Sequence, residues 1–247
     1  MLFPDHFSAV AASYARYRPT YPAALFDWIA STAPARERAW DCACGSGQAT
    51  LPLSERFAQV TGTDASAQQL EEAPAHPGIT WCVATAESSG LIAASFDVVT
   101  VAQALHWLDL PKFWVEVRRV LRRRGLFAAW CYGLATLDHA DADARLRDFH
   151  DNVVGDYWPR ERGHVDRGYR NIVLPFEQLD SPTIEMSERW TLDRLLGYIR
   201  TWSAVRRYIE AKQVDPVEAF GDTLRRDWGD ATRELRWPLT IVAGRVG

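Results

Sequence analysis

The sequence predicts an α/β protein: a mostly parallel sheet with helices on both faces, closed by an antiparallel last strand. Three observations predict it. Between residues 38 and 132, short apolar runs alternate with helical stretches, the pattern that builds parallel strands joined by crossover helices. A glycine-rich turn at 41–47 follows the first of those runs, where a strand hands over to a helix. After a long helical excursion, one more apolar run from Trp237 to Val246 completes the pattern, and a strand added late to a parallel sheet is a familiar antiparallel variation.

The expected strands are Arg38 to Cys42, Gln59 to Thr63, Thr80 to Ala84, Asp97 to Ala102 and Leu126 to Cys131. Ahead of them, Pro22 opens an amphipathic segment carrying Leu25, Trp28 and Ile29, preceded by the aromatic and basic string Tyr14, Arg16, Tyr17, Arg18. Between the fourth and fifth strands, Asp109 is the expected N-cap and Pro111 sits in the first turn of a helix whose Phe113, Val117, Val120 and Leu121 share one face. The five arginines among 118–124 read as cations at that helix's carboxyl end, where the dipole favours them.

Residues 133–180 are charged and weakly periodic, which suits an inserted lid of helices and loops. A helical stretch from Thr191 places Leu195, Ile199, Trp202 and Ile209 on one stripe, and Asp215, Pro216 and Glu218 form a capping signature for another. The expected organisation is therefore 1–37 as an amino-terminal lid and helix and 38–132 as the core that carries the turn. Residues 133–236 follow as helical lid and substrate-binding insertions, and 237–247 as the final strand of the core sheet.

With 247 residues, 47% apolar and 12% aromatic, the chain can bury a large core. A formal net charge of −4 gives no global attraction to nucleic acid or to an anionic membrane. Pro4, Asp5 and His6 interrupt the amino terminus where a signal peptide needs a basic start and an apolar stretch, and no apolar run approaches the roughly 20 residues that span a bilayer. Four cysteines do not make a disulfide framework, and Cys42 and Cys44 have no second pair at zinc-ligand spacing, so no metal is expected. A cytoplasmic protein without nucleic-acid or membrane partners is the expectation, monomer or dimer being left open.

The string AWDCACGSGQAT puts Asp41 at a strand end and Gly45 and Gly47 in the turn, so that backbone can approach a ligand without side chains in the way. This is a Rossmann-like arrangement, and two adenosine-containing cofactors compete for it. A dinucleotide turn wants glycine or alanine at the third place, where Thr50 stands. An acid beside the turn would repel a pyrophosphate and suits a cofactor with a cationic amino group, which favours S-adenosylmethionine over NAD(P). Asp64 follows the second strand 19 residues after Gly45, near the spacing at which an acid meets ribose hydroxyls, though it would equally cap the helix that starts near Ser66. Glu87 after the third strand, and Gln103, Ala104, His106 and Trp107 after the fourth, also lie at strand ends, where ligands bind in open α/β sheets.

The strings SYARYRPTYP, DCACGSG, GTDAS, AESSG, AQALHW, RRVLRRRGLFAAW, TWSAVRRY and RWPLTIVAGR together resemble a small-molecule class I S-adenosylmethionine-dependent methyltransferase of the type-11 group, within its trans-aconitate methyltransferase-like branch. The resemblance implies a seven-stranded sheet with an antiparallel last strand, a helical lid, and S-adenosylmethionine converted to S-adenosylhomocysteine. It implies that Asp41, Ala43, Gly45 and Gly47 line the methionine part, Asp64 and Ala65 the ribose, Ala86 and Glu87 the adenine, and Gln103 and Ala104 the sulfonium. Tyr14 and Arg18 would fold over the cofactor as a lid. The family's glycine two residues after the acid is replaced by Ala43, which is tolerable if its φ is negative.

His106 is the candidate general base, because imidazole titrates near neutrality; the competing reading is a pocket-shaping residue bonded to its surroundings. His106, Trp107, Trp130, Tyr132 and Trp202 are the candidate acceptor-binding residues, with Tyr208 as a further wall and Arg206 or Arg207 as partners for an acidic substrate. The acceptor is expected to be a small molecule, its carboxylate oxygen implied by the resemblance, and methyl transfer to a carboxylate needs no base. The rivals are an NAD(P)-dependent oxidoreductase, disfavoured further by the lack of a Tyr-x-x-x-Lys pair, and a non-catalytic S-adenosylmethionine-binding protein.

Overall fold

A computed structural model describes residues 17–229 and 232–247. The described residues carry α1 (Ala23–Thr32), then β1 (Arg38–Cys42), α2 (Thr50–Ser54), β2 (Gln59–Asp64), α3 (Ala67–Glu71), β3 (Ile79–Val83), β4 (Phe96–Ala102), α4 (Leu110–Val120) and β5 (Leu121–Tyr132). The insertions contribute β6 (Thr136–Leu137), α5 (Ala140–Asp148), α6 (Arg162–Asp166), β7 (Glu177–Leu179), β8 (Met186–Trp190), α7 (Leu192–Arg200), α8 (Ser203–Lys212), α9 (Pro216–Trp228) and β9 (Arg233–Trp237). Strand β10 (Leu239–Arg245) completes the core sheet.

The main sheet has seven strands in the order β3-β2-β1-β4-β5-β10-β7. Strands β1 to β5 pair in parallel, and β10 runs antiparallel to both β5 and β7. The sequence therefore placed the first four strands within a residue or two of their observed limits, together with the antiparallel strand. It missed β7, whose three residues are too short to show a period of two. Alternation along each strand feeds two cores. Ala39, Val98, Ala128 and Trp130 pack with Leu25, Phe26 and Ile29 of α1 on one face, while Trp40, Val99, Phe127 and Ala129 pack with Phe113 and Val117 of α4 on the other.

Asp97 fastens the start of the sheet. Its buried carboxylate accepts the Glu37 and Arg38 backbone N–H groups, each at 2.8 Å, and pairs with Arg122 at 2.6 Å. Arg122, Arg123 and Arg124 thus belong to β5, not to a helix terminus; only Arg118 and Arg119 occupy the last turn of α4. Asp109 stands at the N-cap position of α4, but its carboxylate is drawn to Lys112 Nζ at 2.6 Å and makes no cap hydrogen bond.

A second, three-stranded antiparallel sheet, β6-β9-β8, sits among the insertions and was not anticipated. Trp237 belongs to it: Pro238 has no N–H to continue a ladder, so the expected run 237–246 divides into β9 and β10 there. The helical stretch from Thr191 also divides, at Thr201 and Trp202, into α7 and α8. Thr191 caps α7 by accepting Arg194 N–H, and Asp215 caps α9 by accepting Val217 N–H, with Pro216 in the first turn as expected. The insertions enclose their own apolar cluster, in which Trp190 lies 4.8 Å from Trp237 and Phe149 stacks on Phe220 at 4.3 Å. No helix among the described residues is long and apolar enough to cross a membrane.

Candidate active site

The turn after β1 winds through left-handed backbone. Ala43 has φ 53°, Gly45 55° and Gly47 89°. The condition under which alanine would be tolerable at 43, a negative φ, is not met: the residue occupies the glycine conformation with a methyl group attached, which is strained. Gly47 is required for space as well, because a Cβ there would run into the Trp81 indole from β3. Asp64, at the end of β2, steadies the turn. Its carboxylate accepts Gly45 N–H and Ser66 N–H, both at 2.9 Å, while the cap of α3 is the Ser66 hydroxyl, accepting Gln69 N–H.

Beyond the carboxyl ends of β1 to β4 lies a cleft, where ligands bind in open α/β sheets. Of the residues singled out in the sequence, Ala43, Gly45, Asp64, Ala65, Ala86, Glu87, Gln103 and Ala104 line it. Gly47 and Asp41 do not. Asp41 is fully buried behind the turn, its two carboxylate oxygens taken by the hydroxyls of Thr50 at 2.6 Å and Thr100 at 2.9 Å. Burial pushes its pKa from 3.8 up to about 6; the two hydroxyls oppose the rise and the charge of Asp64 adds to it. Thr50, which spoiled the dinucleotide pattern, is therefore the partner that orients this acid.

A second cavity adjoins the first and shares Gln103 and Trp107 with it. Gln103 is held in the left-handed region at φ 55°, its N–H bonded to Trp130 O at 2.9 Å and its amide to Tyr132 O at 3.1 Å. His106, Trp107, Tyr132 and Trp202 of the expected acceptor set line this cavity. Trp130 does not: it is fully buried against α1, edge-on to Tyr21 at 5.5 Å and Phe26 at 6.1 Å. Arg18, expected over the first cleft, instead lines the second, bonded to Tyr132 Oη at 3.2 Å and lying 5.4 Å over the Tyr198 ring. Tyr14 lies outside the described residues. Tyr208 packs on Tyr157 at 5.0 Å, and neither Arg206 nor Arg207 lines the cavity.

The residue most easily overlooked is Arg162, from α6. It reaches the second cavity with its guanidinium 4.3 Å over Trp158 and its Nε held by Asp166 at 3.0 Å. Nothing periodic surrounds it in the sequence. Its field, with that of His164 and Arg18, reinforces the dominant effect of burial on His106, whose pKa falls from 6.5 to about 3. The imidazole is neutral at physiological pH, and its Nδ1 lies 2.9 Å from Tyr169 Oη. A ring that resists protonation so strongly is not poised as a general base near neutrality.

The sheet order, the antiparallel strand between β5 and the edge, and a ligand cleft at the parallel strand ends define the Rossmann-like class I methyltransferase fold. A family model described as a methyltransferase domain matches residues 40–129. A Dictyostelium discoideum protein named among the methyltransferases is 34% identical over 251 residues, which cover 98% of this chain and 95% of that protein. A solved structure from Anaeromyxobacter dehalogenans, described as a type II methyltransferase, is 44% identical with a TM-score of 0.86, covering 93% of this chain and 98% of that one. Over a shorter stretch of 91 residues, 34% of this chain and 33% of the relative, a malonyl-[acyl-carrier protein] O-methyltransferase of Hahella chejuensis is 38% identical. The chain belongs to the methyltransferase family.

Proposed function

We propose that the protein methylates a carboxylate oxygen of a small acidic molecule, using S-adenosylmethionine and releasing S-adenosylhomocysteine. The observation that carries the acceptor half is the presence of Arg18 and Arg162 on the wall of the cavity that shares Gln103 and Trp107 with the cofactor cleft. The cofactor half rests on the donor set of the first cleft. Asp64 and Glu87 line it and Asp41 lies behind it, so its surroundings are acidic and suit a ligand bearing a sulfonium and an ammonium group. Ala84, Ala86 and Leu108 offer an apolar wall to a planar base. A carboxylate has about four acceptor positions, so Asp64 can take ribose hydroxyls while keeping both backbone bonds.

Bound there, S-adenosylmethionine supplies an electrophilic methyl group on sulfur. The chain's own residues then have two tasks. Arg18 and Arg162 hold the acceptor's negative charge, Arg162 offering the planar fork that suits a carboxylate. Trp107, Tyr132, Tyr198 and Trp202 exclude water and restrict the approach, so that catalysis is mainly proximity and desolvation. The partial likeness to an O-methyltransferase supports the same accepting atom. Four free thiols, Cys42, Cys44, Cys82 and Cys131, support a reducing, cytoplasmic setting.

The test is methylation of a panel of small mono-, di- and tricarboxylic acids with isotopically labelled S-adenosylmethionine, reading base-labile methyl esters by mass spectrometry. Arg162→Gln should raise the acceptor KM about tenfold or more while the cofactor Kd, measured by calorimetry, stays the same. Clear cofactor binding with transfer to amines alone sinks the carboxylate reading. Binding of NAD(P)H in place of S-adenosylmethionine and S-adenosylhomocysteine sinks the cofactor as well.

A further inference from the structure

We infer that Tyr169 and His106 form a positioning pair that turns an imidazole N–H, and not a lone pair, towards the second cavity, so that His106 hydrogen-bonds an acceptor arriving already ionised and never deprotonates it. The reading of that cavity as the acceptor site rests on the proposal above; the state of the ring does not.

His106 sits in a short 3₁₀ turn, Leu105–Trp107, that follows β4, its ring 4.7 Å from Trp107 and 5.9 Å from Tyr169. Tyr169 arrives from the opposite side, three residues beyond α6, and is fully buried. Its backbone is unusual for an aromatic residue: φ is 58°, and its N–H bonds to His164 O at 2.8 Å. The preceding Gly168 also lies in the left-handed region and leaves no room for a Cβ beside Thr240 of β10. Strained tyrosine backbone persists only where its surroundings fix it, and such positions concentrate at functional sites. What this one accomplishes is to bring a phenol to His106 Nδ1 at 2.9 Å.

His106 lines the second cavity, and with Nδ1 engaged Nε2 is the ring's remaining polar atom. Direction follows from acid–base chemistry. The phenol is a stronger acid than a neutral imidazole, and the imidazole nitrogen is the stronger base, so the favoured bond is O–H donating to Nδ1. The proton on the ring then belongs to Nε2, and what the cavity meets is a donor. The groups whose fields reach the ring agree: Arg162 and His164 come from α6 and Arg18 from the segment before α1, while Asp166 pairs with Arg162. An extra proton on His106 would sit near Arg162 and Arg18 in a buried place, so the ring stays neutral and keeps one orientation. Transfer to a carboxylate oxygen releases no proton, and a neutral donor is all that such an acceptor asks of this side chain.

The pair can be tested on the full-length protein without an identified acceptor. Histidine-¹⁵N-labelled protein gives ring nitrogen shifts that separate the two neutral tautomers. The expected spectrum for His106 has a protonated Nε2 and an unprotonated Nδ1, with no titration down to about pH 5. In Tyr169→Phe the two tautomers should mix, and His106→Gln, which keeps a neutral N–H, should retain more of any measured kcat than His106→Ala. A proton on Nδ1, or a ring that titrates near its ordinary value in the wild type, overturns the inference even if Tyr169→Phe fails to fold. The two proposals fail separately. The expected tautomer without ester formation removes only the carboxylate reading, and ester formation with the opposite tautomer removes only the pairing.

Discussion

Asp41→Asn should make the protein more stable at neutral pH and leave it hardly changed in acid. The carboxyl is fully buried between two threonine hydroxyls, and burial carries its pKa from 3.8 in the unfolded chain to about 6 in the folded one. Between those values the folded protein holds the proton more tightly than the unfolded chain, so the unfolded chain binds fewer protons and stability falls as pH rises. The stability linked to that proton is complete below about 3.8, is lost progressively up to about 6, and is absent above it. At neutral pH the buried negative charge therefore costs about 3 kcal/mol relative to an unshifted carboxyl.

Asparagine keeps an acceptor for one hydroxyl and offers an N–H to the oxygen of the other, so the geometry from Thr50 at 2.6 Å and Thr100 at 2.9 Å can survive. Urea unfolding of both proteins from about pH 4 to pH 8 should show Asp41→Asn ahead by roughly 2–3 kcal/mol at the neutral end, with the gap closing below about pH 5. Groups common to both chains cancel in the difference. A variant that is less stable at neutral pH, or a gap that ignores pH, would show that the carboxylate is not held against the cost of burial. The same substitution should weaken S-adenosylmethionine binding about tenfold, because a cationic ligand loses a nearby buried charge. A destabilising acid retained behind a ligand cleft is the trade expected when a group serves binding and not folding.

Two further substitutions probe the scaffold. Ala43→Gly should stabilise by about 0.5–1 kcal/mol, since relief of a left-handed alanine exceeds the entropy that glycine adds to the unfolded chain; a melting temperature higher by about 1–4 °C is the readout, and a lower one would mean that the φ of 53° carries no strain. Asp97→Ala should destabilise by about 3–5 kcal/mol, because it strips the Glu37 and Arg38 amides and Arg122 of one shared buried partner; a loss under about 1 kcal/mol in urea unfolding would mean that water replaces it.

The first cleft was legible because its parts are local. A strand, a glycine turn and an acid at the end of the next strand recur at short spacing, and backbone chemistry dictates each. Even there, conformation outran pattern: Ala43 looked tolerable only on the premise of a negative φ, and Asp41 was placed against the ligand although the fold buries it with Thr50 and Thr100. The acceptor side was half legible. Trp130 and Tyr132 stand two residues apart on β5 and face the same way, so alternation cannot separate them. Depth along the strand does. Trp130 lies level with α1 and is sealed by Tyr21 and Phe26, whereas Tyr132, one step further, emerges at the strand's end and meets Arg18.

Arg162 and Tyr169 illustrate what no local pattern carries. They reach the site from a segment of mixed charge whose α-helix is five residues long, too short for an apolar period, and Tyr169's partner lies far away in sequence. Tyr169 meets His106 across 63 positions, and Gln103, shared by both cavities, bonds to Tyr132 across 29. The left-handed backbone at both Gln103 and Tyr169 is where the long-range fold overrides local preference, since neither residue type favours that region. Both positions sit at the boundary between cofactor cleft and acceptor cavity or directly behind it. Relaxing either backbone would move the wall between the two cavities, so the strain is best understood as the means by which the glycine-turn half and the insertion are held in fixed register.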